Sequence, residues 1–130
     1  MSAHDAPPWQ DREEPDFMPR LRRQFAASLP DRLRTMREAT AALRRTVTPE
    51  EVERLFMAAH GLVGSAAGYG ADNLHPVAKT IEELARQWHR EGRAVHPEDV
   101  DRVEGALGVL SDEIDRFVEW VDDAPDGTTE

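Results

Sequence analysis

From about residue 17 to residue 121, apolar residues recur at three- and four-residue intervals and nowhere alternate singly with polar ones. The pattern predicts helices and no strand. A first short helix is expected from about Asp16 to Ala27, with Phe17, Leu21 and Phe25 along one side. Pro30 suits the first turn of a second helix, because the N–H it lacks is unbonded there. The stripe Leu29, Leu33, Met36, Thr40 and Leu43 carries that helix to about Arg45. Thr48-Pro49-Glu50-Glu51 is the clearest boundary: an N-cap threonine, proline at the first helical position and glutamate three residues after the cap. The helix it opens places Val52, Leu55, Ala59, Leu62, Ala66 and Tyr69 in the three-four steps of a bundle seam, and Gly68 and Gly70 end it. Asp72 is placed to cap a further helix reaching about Glu91, with Leu74, Val77, Ala78, Ile81, Leu84, Ala85 and Trp88 inward and Pro76 tolerated near its first turn. After the loop EGRAVH, Pro97 opens a last helix with Val100, Val103, Leu107, Leu110, Ile114, Phe117 and Val121 on one face.

Long amphipathic helices joined by short connections imply an all-α fold, an antiparallel up-down four-helix bundle with an additional short N-terminal helix as a cap on one end. Residues 1–15, rich in Pro, Asp and Glu around an isolated Trp9, and the acidic residues 122–130 are expected to be flexible tails. That leaves residues 16–121 as one folded unit, which suits a length of 130 residues and is too short for a conventional two-domain enzyme with its own nucleotide site.

The net charge of −10, with arginines interleaved among acids, argues against a phosphate-tracking surface and so against nucleic acid as a partner. Without cysteine, neither disulfides nor thiolate metal sites are available. The start MSAHDAPPWQDREEPDF has no apolar signal core, and no later run is apolar for long enough to span a bilayer. A cytoplasmic protein with no membrane contact is the expectation. Basic residues are almost all arginine, and Lys79 is the only lysine.

One run departs from a plain bundle, AAHGLVGSAAGYGADNL at residues 58–74. His60 follows the seam residue Ala59 and is rotated by about 100° from it, toward the surface. Phe56, Met57, Val63, Gly64 and Ala67 share its face, apolar and flat where a solvated helix would carry charge, so a partner is expected to dock there. Gly64, one turn after His60, costs helix stability by up to about 1 kcal/mol relative to alanine. Two explanations fit the sequence: Gly64 clears room beside the imidazole for an incoming group, or it permits close helix packing. Likewise Phe56 and Met57 belong to the core if the buried stripe is wider than the seam. His75, His89 and His96 lack the spacing that puts two metal ligands on one helical face and read as surface residues, while Trp88 and Trp120 fit helix-end core positions.

The segment His60-Gly-Leu-Val-Gly64-Ser65-Ala66-Ala67-Gly-Tyr-Gly70 resembles the H-x-L-K-G-S-A-x-x-x-G signature of histidine-containing phosphotransfer (HPt) domains, helical bundles of two-component signalling. The resemblance covers roughly residues 16–121, since helix order and lengths agree as well. It implies a phosphocarrier with no kinase or nucleotide site of its own, and no cofactor beyond the Mg²⁺ that a partner receiver domain brings. His60 would be the phosphoacceptor, attacking an aspartyl phosphate through Nε2. The partners implied are response-regulator receiver domains or a hybrid histidine kinase, met by a monomer. In the phosphotransfer domain of chemotaxis kinases a glutamate at the corresponding position orients the imidazole, which assigns that role to Glu82, twenty-two residues after His60.

The sequence departs from the signature at Val63, where the family usually has a phosphate-attracting lysine. Lys79 and Arg86 share a helical face with Glu82 and are the candidates to replace it. Val63 also sustains a rival reading, a helical module of the same fold that docks a receiver or kinase without carrying phosphate. A small metal-binding or dimerising bundle has only generic helicity in its favour.

Overall fold

The computed structural model describes residue 7, residues 9–10 and residues 13–123. Of the tail expected at 122–130, Asp122 and Asp123 belong to the last helix and the rest, like the larger part of the tail expected at 1–15, lies outside the described residues. Four helices follow in order: α1 (Met18–Arg45), α2 (Pro49–Gly68), α3 (His75–His89) and α4 (Pro97–Asp123), with no strand among the described residues. Each helix packs on two neighbours, α1 on α2 and α4, α3 on α2 and α4, so the section through the bundle is a ring of four around a shared core.

Cross-helix contacts fix the directions. Arg54, early in α2, pairs with Glu38, late in α1, while Tyr69 just past α2 stacks on Phe25 near the start of α1. His60 meets Glu82, whereas the earlier Phe56 meets the later His89. Asn73, before α3, donates to the Glu113 carbonyl late in α4 at 2.9 Å, and Arg44 at the end of α1 pairs with Asp101 and Glu104 near the start of α4. Every neighbouring pair is therefore antiparallel. The seams expected for α2 and α4 are buried throughout, except that Tyr69 is half-buried. No helix among the described residues is long and apolar enough to cross a membrane.

The N-terminal half corrects two expectations. The short first helix and the segment after Pro30 form one unbroken 28-residue α1, with Pro30 inside it. Proline removes one ladder hydrogen bond, the one to the Ala26 carbonyl, while its ring lies on the exposed side of the helix. Phe25, Ala26, Leu29 and Met36, buried on either side of it, hold the two halves on one core. Phe17 caps the helix and is exposed instead of belonging to its inward stripe. Trp9, expected in a flexible tail, is 5% exposed. Its ring meets Phe117 and Trp120 edge-on, with centroids at 5.6 and 6.4 Å, under the Arg22 guanidinium at 4.1 Å. Arg22, itself buried, reaches Glu14 and the Tyr69 carbonyl, tying that segment to the end of α2.

Local signals account for most of the boundaries. Thr48 accepts the Glu51 N–H at 3.3 Å, as the sequence implies. At the other end of α2, Ala71 N–H bonds Ala66 O at 2.8 Å and Gly70 N–H bonds Ala67 O at 3.2 Å around Gly70 at φ 76°, a Schellman closure. Asp72 does not cap α3. Residues 72–74 form a turn in which Leu74 N–H bonds Ala71 O, and α3 starts at His75 with no side-chain cap. α3 stops at His89, two residues short of the expected end, and α4 runs to Asp123, two beyond it.

Candidate functional site

Along the middle of α2, residues 55–71 carry no charged side chain other than His60. The seam residues Leu55, Ala59, Leu62 and Ala66 point inward and are buried, which turns His60 out to 59% side-chain exposure. Its Nδ1 lies 2.5 Å from Glu82 Oε2 on α3. Glu82 is only 1% exposed, so a charge sits where water cannot solvate it. Its other oxygen, Oε1, accepts from Lys79 Nζ at 3.1 Å and faces Arg86 Nη2 at 3.4 Å.

Burial alone would raise the Glu82 pKa. The hydrogen bonds from His60 and Lys79, with the charges of Lys79 and Arg86, outweigh it and hold the carboxyl below its ordinary 4.5. Glu82 is thus an anion at neutral pH, and an anion facing Nδ1 requires the ring proton to sit there. In the neutral tautomer this fixes, the lone pair is on Nε2, on the side of the ring away from Glu82. The site presents an exposed imidazole held in a fixed orientation.

The four residues assigned to the chemistry, His60, Glu82, Lys79 and Arg86, form one cluster, although both cations are drawn to Glu82 and flank the Nδ1 side of the ring. The expected docking face divides. Met57, Gly64 and Ala67 are exposed, and Val63 is half-buried against the core. Phe56 is not part of that surface: it is 2% exposed and stacks under the His60 ring at 5.6 Å with planes 14° apart. It also packs against His89 at 5.2 Å and beneath the Arg90 guanidinium at 5.2 Å. The α2–α3 contact reaches one residue beyond the seam on the α3 side, so the buried stripe is wider there than the three-four pattern draws it. A Cβ built at Gly64 would meet nothing within 4 Å, which removes close helix packing as the reason for that glycine and leaves an open approach to His60.

A model of the Hpt domain matches residues 20–120. No curated protein and no solved structure matches the chain. Because the family match runs from the first turn of α1 to within a turn of the end of α4, the chain belongs to the Hpt domain family, whose domains serve histidine phosphotransfer in phosphorelays, as a complete four-helix unit and not through its motif alone.

Proposed function

We propose that this protein relays a phosphoryl group through His60, taking it from the aspartyl phosphate of a receiver domain or from a hybrid histidine kinase and passing it to a further receiver aspartate. The observation that carries the reading is the pairing of His60 Nδ1 with a buried, ionised Glu82, which leaves Nε2 as the free nucleophile on a face open at Gly64. In the forward step the Nε2 lone pair bonds phosphorus as the P–O bond to the aspartate breaks, with its electrons returning to the carboxylate. The imidazole becomes cationic, and Glu82 at Nδ1 compensates that charge as it develops. In the return step the N–P bond breaks and its pair goes back to Nε2. The receiver supplies Mg²⁺ and the remaining neutralisation of the oxygens. Met57, Val63, Gly64 and Ala67 form the docking surface, with Phe56 as the floor that keeps the imidazole upright.

Lys79 and Arg86 act in this scheme by keeping Glu82 ionised. Val63 favours one alternative, a module that docks the same partners without carrying phosphate. The two readings separate on incubation with phosphorylated receiver domains. Acid-labile label that vanishes in His60→Ala is the expected result, whereas receiver binding with no label on any combination supports the module.

A further inference from the structure

Lys79 and Arg86 are held at Glu82, on the Nδ1 side of the His60 ring, while a phosphoryl group would sit on Nε2. The two nitrogens of an imidazole point away from each other, so a cation for the phosphoryl oxygens is needed on the side of α2 away from α3. α1 packs on that side. Its Arg32 places Nη1 3.8 Å from where a Cβ would stand on Gly61, the residue next to His60.

Two contacts hold this side chain. Its Nε donates to Ser28 Oγ at 3.0 Å, and the guanidinium carbon lies 5.5 Å from the Phe25 ring centre. Neither engages a negative charge. Among the described residues no carboxylate pairs with Arg32, and its helical neighbours one turn away, Ser28, Leu29, Thr35 and Met36, carry none. On the same helix Arg22, Arg34 and Arg44 each meet an acid. A half-buried guanidinium with open N–H donors beside a glycine face is suited to an anion that is not yet there.

We propose that Arg32 binds the phosphoryl oxygens of phosphorylated His60, replacing from α1 the cation absent at Val63. The inference rests on His60 being the phosphoacceptor. Gly61 contributes by leaving the space over which the guanidinium reaches. When the N–P bond breaks through a loose transition state, the phosphoryl oxygens lose negative charge as the electron pair moves to Nε2. A cation on those oxygens therefore stabilises phosphohistidine more than the transition state for its hydrolysis, and lengthens its lifetime.

Phosphoramidate is the probe, since it transfers its phosphoryl group to an imidazole with loss of ammonia and needs no partner protein. Wild type, Arg32→Gln, Arg32→Lys, Arg34→Gln and His60→Gln are labelled, melted to check folding, and followed for decay and for the ³¹P shift of the phosphohistidine. Arg32→Gln is expected to take label and lose it about fivefold faster, with a displaced ³¹P resonance. Arg32→Lys should recover most of both readouts, and Arg34→Gln should match wild type. Equal decay in Arg32→Gln and wild type, or equal acceleration in Arg34→Gln, overturns the assignment and leaves His60 as carrier. Absence of label on wild type, or label that survives in His60→Gln, overturns the carrier reading and this assignment with it.

Discussion

At the scale of single residues, the site turns on a carboxylate placed where it should be least comfortable. Glu82 is buried, and its depressed pKa means that the charged form is favoured by the fold. The stabilisation it provides is fully present above its ordinary 4.5 and is lost as pH falls below that through the folded value. Glu82→Gln, which resembles the protonated acid, is therefore expected to be less stable than wild type by about 1–2 kcal/mol at neutral pH. The gap should close as the medium is acidified below pH 4.5, which urea melts at a series of pH values would follow. A constant gap would contradict the assignment. His60 was legible in the sequence from its small-residue surroundings, and Glu82 only through the resemblance to phosphotransfer domains, which places a glutamate at that distance from the histidine. Phe56 was misplaced, because a residue flanking the seam is buried or exposed according to how closely the next helix approaches. Arg32 left no signal at all: its relation to Gly61 crosses two helices, and no spacing encodes it.

At the scale of elements, one glycine inside α2 and one just past its end have opposite requirements. Gly70 sits at φ 76° in the closure that ends the helix, and alanine there should cost about 1–2 kcal/mol. Gly64 lies in the helix interior with open space beyond it, so alanine should stabilise the isolated protein by about 0.5–1 kcal/mol. On the proposed docking surface the same methyl group would stand in the path of an incoming receiver. Thermal melts combined with receiver titrations should show Gly64→Ala gaining stability and losing affinity; unchanged affinity would mean the approach runs elsewhere. Helix boundaries were readable where side chains determine them, as at Thr48 and Pro97. They were misread where packing decides. Pro30 looked like a start, yet buried residues on both sides of it carry α1 through, and Asp72 had the chemistry of a cap but stands in a turn outside the helix.

At the scale of the whole molecule, the ring of four helices is closed by the one pair distant in sequence, α1 with α4, and Trp9 lies against that pair at its end. Trp9→Ala should lower stability by about 2–3 kcal/mol in urea melts, reduced from the usual large-aromatic loss because the site is peripheral. A segment that merely trailed from the bundle would give no change. The composition of residues 1–15 concealed this contact, since Pro, Asp and Glu around one tryptophan describe a tail equally well until Phe117 and Trp120 are brought beside it. The closing pair has a further consequence. Phe25, near the beginning of α1, touches Phe117, near the finish of α4, so both ends of the helical unit leave it at the same pole. His60 lies partway along a flank, eight residues or roughly 12 Å of helix from the end of α2. A tether or fused domain at either terminus would hang from that pole and leave the flank free, so the same bundle can work on its own or as a link in a longer chain without rebuilding the surface its partners meet.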